Sequence, residues 1–161
     1  MKMITPAEIE QAQKKFETFT EGDVRKLMKT YQRKQTALLV YSAAVAQREE
    51  LNDDEYDVLV SATLLVWECM KNKFPAIKKV PIERLDELDD RMFQQLESML
   101  EKSDDDQEEF IQQLIESHQQ PNLLGTICSM TMEAEASVRE ELKGILFFTA
   151  KNVLDALIDV C

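Results

Sequence analysis

The amino-acid sequence predicts an all-α protein, a helical bundle of about seven helices. The chain has only 3 glycines and 4 prolines among 161 residues, whereas an all-β fold needs turn residues about every 8–12 positions. Hydrophobic residues make up 44% of the chain and charged residues 31%, which is typical of a globular protein and not of a disordered one. Apolar residues recur at the helical steps of three and four, most clearly in the run Leu85, Leu88, Met92, Leu96 and Met99.

The first half of the sequence contains residue patterns that are typical of helix N-termini. Thr5 is followed by Pro6 and Glu8, the pattern of an N-cap, a proline at the first helical position and a capping-box acid. Asn52 and Glu55 repeat the cap and the acid at the same spacing. The predicted helices run from Pro6 to about Phe19, from Asp23 to about Glu50 and from Asn52 to just before Pro75, with Gly22 ending the first of them and a linker over residues 75–80.

Caps and prolines place four further helices after the linker. The third and the last of the seven predicted helices are apolar nearly all round, so we expect them at the centre of the bundle. Gly144 lies inside the last helix, where glycine costs about 1 kcal/mol relative to alanine, so we expect a close helix crossing at this residue. The four helices begin at Pro81, at Ser103, at about Asn122 and at Ser137.

The chain is interpreted as a single domain, residues 1–161, in which two segments resemble each other. These segments are residues 24–74 and 108–161, and each contains the most apolar helix of its half. Whether they arose by duplication stays open, because any two helical hairpins of similar length share some of this pattern. At a constant offset of 85 residues the matched positions are Gln35 and Gln120, Leu38-Leu39 and Leu123-Leu124, Glu50 and Glu135, Asn52 and Ser137, and Glu55 and Glu140.

The net charge of −12 is unevenly distributed along the chain. Residues 1–80 contain 13 basic and 12 acidic side chains, whereas residues 81–161 contain 6 basic and 19 acidic ones. A protein that neutralises phosphates needs a basic surface, so duplex nucleic acid is not an expected partner. Anionic membrane surfaces are disfavoured for the same reason. A protein with this charge can still attract a basic partner.

One predicted helix departs from this acidic character. Between Val24 and Gln47 there are five basic residues and no acid, and Arg25, Lys29 and Arg33 lie at i, i+4 and i+8, on one face of the helix. Because uncompensated like charges on a helix repel, we predict that this stripe faces acidic groups, and we take its three residues as the candidate partner-binding site. The acidic fourth predicted helix of the same chain is the first candidate partner. The same helix of a second subunit, an external acidic protein and a nucleic-acid ligand remain open.

Cysteine usage indicates the compartment. Cys69, Cys128 and Cys161 are far apart and form no CxxC pair, and an odd number without a disulfide pattern is typical of the reducing cytosol. The N-terminal residues lack the apolar segment of a secretory signal. The most apolar stretch, Val58–Met70, has 13 residues and is too short to span a bilayer. We therefore predict a cytoplasmic protein that does not associate with membranes.

The sequence contains no complete catalytic or metal-binding pattern, so no catalytic residue, metal or cofactor is predicted. Residues 53–57 spell the DDxxD pattern with which helical prenyl synthases hold magnesium. These acids lie at a predicted helix N-terminus, where they interact favourably with the helix dipole. His118 is the only histidine, and Ile115 three residues before it excludes the Glu-x-x-His motifs of a di-iron bundle.

Two further positions carry expectations about burial. Glu68 is expected at the solvent-exposed edge of the third predicted helix and not as a buried acid. An exposed aromatic ring at Phe147 or Phe148 would favour a homodimer, and the oligomeric state is otherwise left open.

These observations favour a non-catalytic, cytosolic protein-interaction or scaffold module of unknown specificity. The first alternative is an acidic inhibitor of the immunity or antitoxin type, whose second half masks a basic partner. The second alternative is a small magnesium-dependent phosphohydrolase. Its acids would be Asp53, Asp54 and Asp57, or Glu83, Asp86 and Asp90.

Overall fold

The computed structural model describes residues 1–161 and contains helices and no strand, so the predicted all-α class is confirmed. None of the helices combines the length and the apolar composition that a bilayer crossing requires. There are eight helices: α1 (Pro6–Glu17), α2 (Glu21–Lys34), α3 (Thr36–Arg48), α4 (Asp53–Lys73), α5 (Ile82–Leu100), α6 (Asp104–Glu116), α7 (Pro121–Met132) and α8 (Glu140–Val160).

The prediction of about seven helices is wrong by one because the expected second helix, Asp23 to Glu50, is interrupted. Gln35 lies between α2 and α3 with φ −138° and ψ 56°, outside the helical region. Its side chain is buried and binds the segment between α4 and α5, donating from Nε2 to the carbonyl of Lys78 at 2.9 Å and accepting at Oε1 from the backbone N–H of Val80 at 3.0 Å. These non-local bonds compensate for the break in the helix.

The boundary between α1 and α2 also differs from the predicted one. Thr20 is the N-cap of α2, and Asp23 is its capping-box partner rather than the cap itself. Gly22 therefore lies in the first turn of α2 and does not end α1. The caps predicted at Thr5, Asn52 and Ser103 all accept the expected backbone N–H bonds. The cap predicted at Ser137 is wrong, because Arg139 is the N-cap residue of α8 and no side chain caps this helix.

The two central helices are α4 and α8, as the all-round apolar pattern predicted. They pack against each other, with α1 and α7 against α4 and with α5 and α7 against α8. Phe147 and Phe148 are fully buried and pack edge to face at 5.2 Å, so the exposed ring that would have favoured a homodimer is not found. Gly144 marks the expected close crossing, because a Cβ atom there would lie 3.2 Å from Cδ2 of Leu96 on α5.

Gln120 forms the same kind of side-chain hydrogen bonds to the backbone as Gln35. Gln120 precedes α7 with φ −126° and ψ 68° and is fully buried. Its Oε1 accepts from the N–H of Ile4 at 2.8 Å, and its Nε2 donates to the carbonyl of Lys2 at 2.8 Å. Each glutamine thus clamps the carbonyl of one residue and the N–H two residues later, in the extended segment that leads into α1 or α5.

The N-termini of α4 and α8 meet at a buried carboxylate. Glu55 is fully buried and accepts from the backbone N–H of Asn52, its capping-box partner, at 2.9 Å. Arg139, the N-cap of α8, donates to Glu55 from its backbone N–H at 2.8 Å and from Nη2 at 2.8 Å. The Arg139 guanidinium and these backbone bonds lower the pKa of Glu55 to about 2. This ion pair therefore ties together the two central helices.

Candidate functional site

The predicted basic stripe lies on the exposed face of α2. Arg25, Lys29 and Arg33 are all exposed. Arg25 contacts only Glu21 of its own helix, at 3.7 Å, while Lys29 and Arg33 form no ion pair. An exposed pair at this distance contributes little, so the stripe remains a largely uncompensated positive surface.

The expectation that the acidic fourth predicted helix covers this stripe is wrong. That helix is α5, which packs against α8 and α3, whereas α2 packs against α3. Asp89 of α5 pairs with Arg48 of α3 at 2.7 Å and accepts from the hydroxyl of Tyr41 at 2.8 Å. The amphipathic pattern of α5 predicts which face is buried but does not indicate which helix buries it.

Beside the stripe lies an apolar groove of 830 Å³ between α1, α2 and α4. Most of the side chains that line it are only partly buried, and Val24 is 44% exposed, whereas Leu64 and Leu65 at its floor are buried. Concave surfaces lined mainly by apolar side chains are where proteins commonly bind ligands or segments of other proteins. Its principal lining residues are Phe16, Phe19, Val24, Leu27, Met28 and Val60.

The charged edges of this groove have opposite signs. Arg25 and Lys29 directly follow the groove-lining residues Val24 and Met28, so they lie about 100° further round α2, on the helix face next to the groove, although neither lines it. Glu17 of α1 and Asp57 of α4 line the groove and are exposed. Arg33 does not share this position, because it lines a separate cavity near the C-terminus of α2. The structure therefore divides the predicted site into two places.

Glu68 was expected to be exposed, and this expectation is wrong. The side chain is fully buried and accepts from Nζ of Lys15 and Nζ of Lys71, both at 2.7 Å. Burial raises the pKa of the carboxyl, but the hydrogen bonds and charges of the two lysines outweigh burial and hold the pKa below its ordinary value. Lys15 lies 53 residues away in the sequence, so no local pattern could have revealed this partner.

His118 takes part in a partly buried hydrogen-bond network. Its Nδ1 accepts from the backbone N–H of Gln120 at 2.9 Å, so Nε2 carries the proton and donates it to Asp155 at 2.7 Å. Lys151 also donates to Asp155, at 2.7 Å. Because both ring nitrogens are engaged, neither is free to accept a proton from a substrate.

The acidic runs do not converge on a metal site. No three histidine, cysteine, aspartate or glutamate side chains come close enough to hold a metal ion. Glu83, Asp86 and Asp90 are exposed on α5, and Glu55, inside the DDxxD pattern, is committed to Arg139. Burial raises the pKa of the Cys69 thiol to about 12, so it is a poor nucleophile at neutral pH.

Comparison with protein-family models, curated proteins and solved structures yields no match to this chain.

Proposed function

We propose that this chain is a non-catalytic, cytosolic protein-interaction module whose groove between α1, α2 and α4 binds an amphipathic helix of a partner protein. The observation that carries the proposal is the 830 Å³ apolar groove beside the exposed cations Arg25 and Lys29. Amphipathic helices commonly bind such grooves through apolar residues at i, i+3, i+4 and i+7.

The charges beside the groove indicate the chemistry of the bound helix. Lys29 has no ion pair, and Arg25 has only a long, exposed contact with Glu21. In a chain of net charge −12, this basic edge favours a helix that carries acidic residues on the flank facing α2. Glu17 and Asp57 disfavour acids on its other flank, so the charges also orient the bound helix.

The two alternative functions draw less support. An inhibitor with an acidic masking surface agrees with the 19 acids of residues 81–161, but it leaves the groove and the basic edge of α2 without a role. A magnesium-dependent phosphohydrolase draws no support from the acids of α4 and α5, because no metal-binding cluster forms there.

The test is binding of a fluorescein-labelled synthetic helix with leucines on one face and glutamates on one flank, followed by fluorescence anisotropy. We expect saturable binding that the double variant Arg25→Gln/Lys29→Gln weakens by about fivefold, since each edge charge contributes modestly. Met28→Asp is expected to weaken it by more than about tenfold, because it introduces a carboxylate into the apolar contact. Circular dichroism checks that the variants keep their helices.

The matched control is Arg33→Gln, which removes a cation of the same helix that lines a separate cavity near the C-terminus of α2. This variant should bind the acidic helix as the parent does. Equal affinity for a peptide with lysine in place of glutamate would contradict the predicted charge of the partner. A dimer that Met28→Asp dissociates, seen by light scattering, would show that a second copy occupies the groove and would overturn the proposal.

We further propose that the bundle consists of two related halves, α1–α4 and α5–α8, longer than the segments 24–74 and 108–161 matched in the sequence. The packing of the helices supports this proposal. When each helix of one half is replaced by its counterpart in the other half, a contact between two helices becomes another contact that the structure contains. The contact of α1 with α4 corresponds to that of α5 with α8, and the contact of α4 with α7 corresponds to that of α8 with α3. Likewise, the contact of α3 with α5 corresponds to that of α7 with α1, and the contact of α2 with α3 corresponds to that of α6 with α7.

The polar contacts support the same correspondence. Gln35 and Gln120 have nearly equal backbone angles and clamp equivalent extended segments. Asn52 and Ser137, which match at an offset of 85, meet through a hydrogen bond from Nδ2 of Asn52 to the carbonyl of Ser137 at 3.2 Å. A contact between equivalent residues is expected where two halves meet around a pseudo-twofold axis.

A further inference from the structure

A second cavity, of 320 Å³, lies near the C-terminal ends of α2 and α4 and the segment between α4 and α5. Four cations line it, namely Arg33, Lys34, Lys71 and Lys79, and no carboxylate is among its lining residues. Trp67 forms part of its wall. This concentration of positive charge is unusual in a chain whose net charge is −12.

The cations of this cavity are mostly uncompensated. Lys71 pairs with Glu68 at 2.7 Å, whereas Arg33, Lys34 and Lys79 form no ion pair. Like charges around a confined space repel one another, and the repulsion is stronger where protein walls displace water. A bound anion would remove this repulsion and would accept several charge-assisted hydrogen bonds.

Trp67 supplies an independent observation. Its side chain is 1% exposed, and its indole Nε1–H has no hydrogen-bond acceptor within the protein. An unpaired buried donor is rare in folded proteins, and this one belongs to a side chain that lines the cavity with the four cations.

The fold itself does not require these cations. Cations are favoured at helix C-termini, yet α6 and α8 carry no basic residue in their last turns, whereas α2 and α4 carry two each. The residues before the two clamping glutamines differ in the same way, since Arg33 and Lys34 precede Gln35 while His118 and Gln119 precede Gln120. In the second half, the residues at the corresponding helix ends therefore form no cluster of cations.

We propose that this cavity is a binding site for a small, multiply charged oxyanion of the phosphate class, such as pyrophosphate or a phosphorylated metabolite. Four cations match a ligand with more than one negative charge better than a simple carboxylate. The planar guanidinium of Arg33 can bind two phosphate oxygens at once, and the lysines contribute point charges. The strongly acidic second half disfavours the approach of an anionic membrane, so the ligand is a soluble one.

The test uses Trp67, which is the only tryptophan of the chain and therefore reports on this cavity alone. Titration of the full-length protein with pyrophosphate is expected to change the tryptophan fluorescence with saturation. Inorganic phosphate, which carries less charge, should bind more weakly, and added salt should weaken both. The variants Arg33→Gln and Lys79→Gln should each weaken pyrophosphate binding by about tenfold.

The control is the double variant Arg25→Gln/Lys29→Gln, which removes two charges from α2, one more than either single variant, without touching the cavity. It should bind pyrophosphate as the parent does, and isothermal calorimetry should give the same affinities as fluorescence. No saturable signal at millimolar pyrophosphate would overturn the proposal, as would equal weakening by the control. Tighter binding to phosphatidylcholine vesicles that contain phosphatidic acid would overturn the assignment to a soluble ligand.

Discussion

The substitution Arg139→Met is expected to lower the free energy of unfolding by about 1–3 kcal/mol, because it removes the charged hydrogen-bond partner of a buried carboxylate. Glu55 is fully buried, and its side chain accepts from Nε and Nη2 of Arg139. The Nη2 atom also donates to the carbonyl of Glu50 at 2.9 Å. Glu50 is the one non-glycine residue with a positive φ, 50°, a conformation that costs about 1 kcal/mol. The substitution thus removes the side-chain hydrogen bonds of residue 139 to Glu55 and to the carbonyl of Glu50.

The same pair predicts how stability depends on pH. The pKa of Glu55 falls from its ordinary value of 4.5 to about 2 in the folded protein. The ion pair therefore stabilises the fold fully above the ordinary value and loses its contribution as the pH falls from 4.5 towards 2. A shift of this size corresponds to about 3 kcal/mol. Glu55→Gln, which cannot ionise, should reduce the loss of stability over this pH range.

Urea unfolding followed by circular dichroism at neutral and acid pH measures both effects. Arg91→Met is the matched control, because Arg91 is exposed and forms no ion pair. Its stability should change by less than about 0.5 kcal/mol. A loss in Arg139→Met no larger than that of the control would contradict the structural role of the pair. So would a parent protein whose stability is constant across the acid range.

Local patterns in the sequence predict several of the helix starts and the two central helices. Thr5, Asn52 and Ser103 cap helices as expected, because a cap bonds to backbone groups only two or three residues away. The all-round apolar composition of α4 and α8 likewise predicts their central positions. Features of this kind depend on neighbours along the chain, which the sequence displays directly.

Features that depend on distant partners are those that sequence reasoning missed. The break at Gln35 results from hydrogen bonds to residues more than forty positions later, and the burial of Glu68 depends on Lys15 of another helix. The basic stripe was recognised from its spacing, but the groove beside Arg25 and Lys29 was not. The groove arises from the relative placement of three helices, and amphipathic patterns specify faces without specifying which faces meet.

The substitutions Gln35→Ala and Gln120→Ala are each expected to lower the free energy of unfolding by about 2–4 kcal/mol, because each leaves one backbone N–H and one backbone carbonyl without a partner. The groups released by Gln120→Ala are the N–H of Ile4 and the carbonyl of Lys2. Those released by Gln35→Ala are the N–H of Val80 and the carbonyl of Lys78. The two clamps share no residue, so the losses should add in the double variant.

Amide hydrogen exchange distinguishes these local effects from a general loss of stability. Gln120→Ala should accelerate exchange at Ile4 well beyond its effect at Val80, and Gln35→Ala should do the reverse, since each N–H depends on one clamp. Gln32→Ala is the control, because that side chain is exposed and forms no hydrogen bond within the protein. Equal acceleration at both amides in either variant would contradict the separate clamps. Closely similar losses in the two single variants would support the relation between the halves, because equivalent residues would then perform equivalent work in positions 85 residues apart.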